Sequence, residues 1–251
     1  MSAAPRFALS VDVEDYFQVW AFSGQISRKD WNSYPLRVEA SPRRALYSFA
    51  AHGAKATFFP LGWIAERAPA LVREIAARGH EIASHGFDHA KVFEQSRDQF
   101  REDAGRTKKL LEDLTGEAVG GYRAPGFSID ARTPWAHETL AALGYRYSSS
   151  SHPIKHDHYG DPNAPRAPFR PVATSGFLEA PVATVDLFGS RFSCAGGGWF
   201  RAAPYALSKA LIARAHAQLA GPVIFYFHPW ELDPGQPRIA AAPMKSRLRH
   251  Y

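Results

Sequence analysis

Two hydrophobic patterns alternate along the chain. Runs rich in β-branched and aromatic residues predict strands at 7–13, 54–60, 80–84 and 223–227, and the last is an uninterrupted apolar run typical of a buried parallel strand. Between them, apolar residues recur at helical spacing, which predicts helices at 41–53, 69–79, 96–116, 134–144 and 204–219. This alternation is typical of βα units and predicts an α/β fold built on a parallel sheet.

Residues 151–198 interrupt the alternation. This stretch is richer in Pro, Gly and His and has no helical period, so it predicts a long loop region with short strands. The length of 251 residues and the 45% hydrophobic content suit one large core. The sequence therefore predicts a single domain over 1–251, with a polar C-terminal tail at 233–251.

Charge and cysteine content narrow the class of protein. The net charge of +6 is not concentrated in any basic block, which argues against nucleic acid as a partner. The first residues lack the pattern of a secretory signal and no run of about 18 apolar residues occurs, so we expect a cytoplasmic protein without stable membrane insertion. Cys194 is the only cysteine, so any metal must be held by His and carboxylates.

Two clusters of potential metal ligands follow predicted strands. In GHEIASHGFDH, His85 and His89 are four residues apart, so one turn of chain brings both imidazoles to one side. Asp12, Glu14 and Asp15 lie at the carboxyl end of the first strand, the edge where α/β sheets place their sites. Three acids there would repel one another unless a cation lies among them.

Two further polar residues follow strand-like segments. Arg123, in GYRAPGF, has the planar guanidinium that holds a buried carboxylate. His228, in FYFHPWE, could act as a general acid whose pKa is tuned by Glu231 or another acid. Because carboxyl ends of parallel strands converge at one edge, we expect both residues to lie near the His and Asp clusters.

The order of these motifs resembles the polysaccharide deacetylases, the NodB-homology group or carbohydrate esterase family 4, over nearly the whole chain. The segments VDVEDYFQVWAF, KATFFPLGWIAER, GGGWFR and HPWELDP are most similar to the subgroup associated with exosortase-linked (PEP-CTERM) exopolysaccharide clusters in bacteria. The resemblance implies a distorted (β/α) barrel with a metal-dependent site. The metal implied is Zn2+, or another divalent ion such as Co2+, Ni2+ or Mn2+, which polarises the acetyl carbonyl.

The resemblance also implies roles for individual residues. Asp12 is the catalytic base, His85 and His89 are metal ligands, Arg123 orients Asp12, and His228 protonates the leaving amine. Together they imply hydrolysis of an N-acetyl group to acetate and a free amine.

The chain departs from the family at its first motif and after the strand near Tyr147. The common first motif has two adjacent Asp, so the third ligand here is Asp15 or Glu14. Strict strand alternation favours Glu14, whereas a turn at the strand end favours Asp15, which we prefer slightly. Ser148 stands where the subgroup usually has Asp, so a supporting acid is missing.

Substrate contacts are expected around a glycine and three aromatic residues. A backbone N–H near Gly126 is implied to stabilise the oxyanion, because a missing side chain permits close approach. Many relatives have an aromatic residue at Gly126, so stacking on the sugar must come from Phe127, Trp199 or Trp230.

The function expected from these residues is a metal-dependent polysaccharide N-deacetylase. Its substrate would be N-acetylhexosamine units of a bacterial exopolysaccharide or its precursor, and the sequence leaves the oligomeric state open. One alternative is an allantoinase-like C–N hydrolase of small cyclic amides, although those relatives often lack the His pair. A second alternative is a catalytically inactive carbohydrate-binding member of the fold, which the serine at position 148 motivates.

Overall fold

The computed structural model describes residues 7–156 and 159–251. The strands in this part of the chain are β1 (Phe7–Val13), β2 (Ala56–Pro60), β3 (Glu81–Ile82), β4 (Gly121–Tyr122), β5 (Tyr147–Ser148), β6 (Leu178–Glu179), β7 (Thr184–Leu187), β8 (Ser190–Ser193) and β9 (Val223–Phe227). The α-helices are α1 (Ser41–Ala51), α2 (Gly62–Arg67), α3 (Pro69–Ala77), α4 (Arg97–Thr115), α5 (Ala136–Ala142), α6 (Gly197–Ala202), α7 (Tyr205–Gln218) and α8 (Met244–His250).

The central sheet is parallel and has the order β3-β2-β1-β9. Strand β1 is in its middle, and Val11 pairs with Phe58 on one side and Phe227 on the other. A second parallel sheet has the order β4-β5-β6, and an isolated bridge between Ser84 and Tyr122 connects it to the first sheet. The carboxyl ends of these strands therefore face one edge of the molecule, as the predicted α/β barrel class requires.

Helices α1 to α5 pack outside the sheets and bury their apolar faces against them. Leu46 on α1 and Val72 and Ile75 on α3 are fully buried together with Val11 and Phe58 of the central sheet. Helix α4 begins at a capping box in which Ser96 Oγ accepts the Gln99 N–H and Gln99 Oε1 accepts the Ser96 N–H. It ends at Gly116, whose φ of 73° is the left-handed conformation that favours glycine.

The predicted elements agree with the structure where their hydrophobic period is long. The bounds of β1 and β9 match the predicted strands, and residues 151–198 contain the short strands β6, β7 and β8 in a long irregular stretch. Helices α2, α6 and α8 were not predicted, because six or seven residues complete too few turns to show a period. Within the described part of the chain, no helix is long and apolar enough to cross a membrane.

The predicted C-terminal tail packs against the main body of the protein. Helix α8 lies in it, and His250 is 1% exposed. The His250 ring stacks on Trp230, with ring centroids 4.0 Å apart, and also lies against Phe22. The end of the chain is therefore part of the wall behind the site described next.

Candidate metal centre and active site

The carboxyl end of β1 brings three acids to the sheet edge in three different environments. The chain turns at once after the strand, because the Glu14 N–H donates to the Asp12 carbonyl at 3.1 Å. Asp12, Glu14 and Asp15 are each at most 2% exposed. Buried carboxylates need donors or cations, and each of these acids finds a different set.

Glu14, His85 and His89 form a cluster of potential metal ligands, in which one ligand atom from each residue lies within 4.8 Å of the others. Glu14 Oε2 is 2.9 Å from His89 Nε2. His85 Nδ1 donates to the Arg123 carbonyl at 2.8 Å, and because a carbonyl only accepts, Nε2 of the neutral ring keeps its lone pair for a metal.

The turn that carries the two histidines has an unusual backbone. Gly86 and His89 have φ values of 72° and 60°, and the second is uncommon for a residue with a side chain. The Phe87 N–H donates to the Asp103 carboxylate of α4 at 3.1 Å, which anchors the turn between the histidines. Such a strained residue is typical of a functional site that its surroundings hold in place.

The surroundings of Glu14 suit a cation. Burial raises the pKa of its carboxyl, but the charges of His89, His228 and His85 outweigh that effect and lower the pKa to about 2. Glu14 Oε2 is buried and receives no hydrogen bond of acceptable geometry from the described residues. Two imidazoles and one carboxylate make a common catalytic zinc ligand set that leaves a position open. The donor set therefore fits the divalent metal that the sequence implied.

Asp15, which the sequence analysis preferred as the third ligand, lies outside this cluster. Its Oδ1 accepts the Tyr16 N–H at 2.8 Å, and its Oδ2 accepts the N–H groups of Arg37 and Val38 at 2.7 and 2.9 Å. These bonds turn the carboxylate toward the chain at residues 37–38 and away from the histidines. The prediction of Asp15 as the third ligand was therefore wrong. The alternative that strand alternation favoured, Glu14, lies beside His85 and His89.

Asp12 forms a buried ion pair with Arg123. Arg123 Nη1 donates to Asp12 Oδ1 at 2.6 Å, and the guanidinium and carboxylate are 1% and 3% exposed. Nη1 also donates to Ser10 Oγ, while Nε and Nη2 donate to the carbonyl and hydroxyl oxygens of Ser149. The guanidinium lies over the Phe59 ring, with Cζ 4.3 Å from its centroid. These contacts fix one orientation of the Asp12 carboxylate.

His228 follows β9 and lies on the other side of Glu14. Its Nδ1 donates to Glu231 Oε1 at 2.8 Å, and its Nε2 is 3.6 Å from Glu14 Oε1. Burial lowers the pKa of His228, but the hydrogen bond to Glu231 and the charge of Glu14 raise it to about 9. Arg201 donates to the second Glu231 oxygen at 2.9 Å. A Cβ at Gly197 would collide with the Glu231 carboxylate, so the glycine at the start of α6 makes room for this acid.

A cleft of about 900 Å3 connects the predicted residues, and Asp12, Glu14, His85, His89 and His228 all line it. The residues expected to contact substrate also line it: Gly126, Phe127, Trp199 and Trp230.

The three aromatic residues expected to contact the substrate differ in how far they are exposed to solvent. Trp199 is 43% exposed, whereas Phe127 and Trp230 are mostly buried, so Trp199 presents the largest free ring among the three. Trp20, which was not predicted, lines the same cleft and lies under the Lys91 ammonium at 4.4 Å. The sequence offered one indication of this role, because Trp20 lies close in the chain to Asp12, Glu14 and Asp15.

Comparison with known proteins agrees with this architecture. Residues 33–148 match the family model for polysaccharide deacetylases, and residues 149–251 match a model described as a domain of unknown function, DUF3473. A peptidoglycan-N-acetylglucosamine deacetylase of Bacillus cereus is 33% identical over 131 residues, which are 50% of this chain and 46% of the relative. The chain spans about half the length of the curated relatives it matches.

Solved structures share the fold at low sequence identity. A structure from Mycobacterium smegmatis with a provisional polysaccharide deacetylase assignment has a TM-score of 0.60 and 22% identity, over 92% of this chain and 82% of the other. A carbohydrate esterase family 4 pseudoenzyme from Bacillus anthracis has a TM-score of 0.51 and 14% identity, over 90% of this chain and 55% of the other. These similarities confirm the α/β fold of the polysaccharide deacetylase type.

Proposed function

Because residues 33–148 match the polysaccharide deacetylase family, we propose that the chain hydrolyses N-acetyl groups on N-acetylhexosamine units of a bacterial exopolysaccharide or its precursor. One observation carries the proposal. A potential metal site, a buried carboxylate fixed by an arginine, and a histidine whose pKa is raised to about 9 all line one cleft. These are the electrophilic, basic and acidic groups that amide hydrolysis needs.

Glu14, His85 and His89 would hold the divalent metal. Lewis acidity toward the acetyl carbonyl is the chemistry that such a cation supplies there. The hydrogen bond from His85 Nδ1 to the Arg123 carbonyl fixes the tautomer that leaves Nε2 available as a ligand. Zn2+ is the first choice, with Co2+, Ni2+ or Mn2+ as alternatives, because the donors are imidazole nitrogens and a carboxylate.

Asp12 would accept a proton from the attacking water. Arg123 balances the charge of Asp12 and fixes the orientation of its carboxylate, which lines the cleft, so the base needs little reorganisation during the reaction. The water oxygen forms a bond to the acetyl carbon, and the O–H bond to the accepted proton breaks. This role gives the buried Asp12–Arg123 pair a function, since such pairs seldom add net stability.

His228 would donate a proton to the leaving nitrogen. With its pKa raised to about 9, the imidazole is protonated at neutral pH, and Glu231 holds its Nδ1 so that Nε2 faces the cleft. Proton transfer from Nε2 accompanies cleavage of the C–N bond and gives acetate and a free amine. The proton taken up by Asp12 and the proton lost by His228 balance over one turnover.

The shape of the cleft supports an extended glycan as the substrate. A volume of about 900 Å3 is near the upper end of the range typical of small-molecule sites. Trp199 presents an exposed ring on one wall, where the face of a sugar ring could stack. A polymer with N-acetylhexosamine units suits this opening better than a small cyclic amide.

The test is a comparison of substrates. Metal-supplied protein would be incubated with N-acetylglucosamine oligomers of increasing length, an aryl acetate and a cyclic ureide, and acetate or ring-opened product would be quantified. We expect acetate release that increases with oligomer length. Hydrolysis of the ureide alone would favour the cyclic amide alternative, and oligomer binding without any hydrolysis would identify a carbohydrate-binding protein.

A further inference from the structure

A run of four serines, Ser148 to Ser151, begins at the last residue of β5, where the family pattern led us to expect a supporting acid. In the structure, a carboxylate from a distant segment lies against this run. Glu179 is the last residue of β6, pairs with Ser148 in the parallel register, and is 0% exposed. A buried charge needs several donors, so its partners indicate what it organises.

The Glu179 carboxylate is fully engaged. Its Oε1 accepts the N–H groups of Ser150 and Ser151 at 2.8 and 2.7 Å, and its Oε2 is 3.0 Å from His137 Nε2. Burial raises the pKa of Glu179, but the hydrogen bond and charge of His137, with the hydrogen bonds from the serine run, lower it overall. The ionised carboxylate thus fixes the backbone of the serine run.

The same serine run holds Arg123. The Ser149 carbonyl accepts Arg123 Nε–H at 3.0 Å, and the Ser149 hydroxyl accepts Nη2–H at 2.9 Å. The Ser150 hydroxyl accepts the Ala124 N–H at 2.9 Å, next to Arg123 in the chain. Two of the four hydrogen bonds that the Arg123 side chain makes to described residues therefore depend on the conformation of Ser149.

We propose that Glu179 is a positioning residue, which acts through the serine run and Arg123 to hold the Asp12 carboxylate in its reactive orientation. The inference rests on the proposed function for the role of Asp12. Loss of the carboxylate leaves the Ser150 and Ser151 N–H groups without their acceptor, and a change in that backbone moves both Ser149 acceptors. Glu179 supplies from β6 the supporting acid that is absent at Ser148.

The experiment combines a structural readout with a kinetic one. Hydrogen exchange of the Arg123 Nε–H would be measured by NMR, and kcat and KM would be measured for acetate release, in wild type, Glu179→Ala and Glu179→Gln. We expect exchange at least about fivefold faster in Glu179→Ala, since one lost hydrogen bond is worth about 1 kcal/mol or more. The same variant should lower kcat about 10- to 100-fold with little change in KM.

The glutamine variant serves as the rescue. Its amide oxygen accepts the two serine N–H groups and its amide nitrogen faces His137, so both readouts should stay near wild type. Glu112→Ala is the matched control, because that carboxylate also accepts a backbone N–H, from Val119 at 3.0 Å, on the remote helix α4. Glu112→Ala should leave the exchange rate of the Arg123 Nε–H, kcat and KM unchanged.

Unchanged Arg123 exchange in folded Glu179→Ala would overturn the inference. If the alanine variant does not fold, Glu179→Asp keeps the charge and withdraws it by one methylene, and unchanged exchange there would overturn it equally. The two proposals fail separately. Absence of acetate release by wild type contradicts the proposed function, whereas the Arg123 exchange tests the positioning role whatever the activity.

Discussion

Replacement of Glu14 by Gln should abolish tight metal binding, whereas Asp15→Asn should weaken the fold and leave the metal site intact. The two acids are neighbours in sequence and both are buried, so each variant is a control for the other. Glu14 lies with His85 and His89, and Asp15 is bonded to the backbone of Tyr16, Arg37 and Val38.

The expected magnitudes follow from these contacts. Residues that merely orient a ligand are worth about 10- to 100-fold in metal affinity, so loss of the ligand Glu14 should cost at least about 100-fold. Asp15→Asn keeps one oxygen for three backbone N–H donors. A buried donor left without an acceptor costs about 1–3 kcal/mol, which in a chain of this size corresponds to a melting temperature about 2–12 °C lower.

The assay is equilibrium dialysis against buffered free Zn2+, followed by elemental analysis, with thermal unfolding of the metal-free proteins measured in parallel. Glu14→Gln should keep its fold and lose bound zinc at concentrations that saturate wild type. Asp15→Asn should bind zinc as wild type does below its lowered melting temperature. Zinc binding that survives in Glu14→Gln and disappears in folded Asp15→Asn would show that Asp15, and not Glu14, is the third ligand.

Three further predictions concern titratable groups. Glu231→Gln should lower the raised pKa of His228, so that the alkaline limb of the kcat profile moves to lower pH, and an unmoved limb would exclude His228 as the acid. Burial raises the pKa of Asp103 from 3.8 to about 7, so the folded state binds the proton more tightly than the unfolded state does. The free energy of unfolding should therefore fall by about 2–4 kcal/mol as the pH rises from about 4 to 7. Urea titrations should show that this fall is absent in Asp103→Asn. Burial also raises the pKa of the Cys194 thiol to about 12, so iodoacetamide at pH 8 should label it in urea and leave it unmodified in the native protein.

The sequence predicted those parts of the fold that are determined by residues close together in the chain, such as helix ends and single strands. The capping box at Ser96 and the terminal glycine of α4 are short-range signals, and both appear in the structure. The apolar run of β9 predicted its bounds because a strand buried on both faces has few polar interruptions. The short helix α8 escaped notice because seven residues with several charges give no apolar face to detect.

The candidate site was predicted from residue types at strand ends, and the error at Asp15 came from a contact distant in sequence. Strand alternation alone indicated Glu14, but nothing near Asp15 shows that the backbone of Arg37 and Val38 would supply donors to it. Glu179 was missed for the same reason, since its partners on the serine run are about 30 residues away and only the parallel pairing of β5 with β6 brings them together.

The proposed hydrolysis is best tested by acetate release from N-acetylglucosamine oligomers with zinc-supplied wild type and Asp12→Asn, measured by NMR of the acetyl methyl signal. The variant keeps the size of the side chain beside Arg123 and removes its capacity to accept a proton. We expect wild type to convert the acetyl signal to that of free acetate, and Asp12→Asn, with equal zinc content, to be slower by at least about 100-fold. Equal rates in the two proteins would contradict the assignment of Asp12 as the base on which the proposed hydrolysis depends.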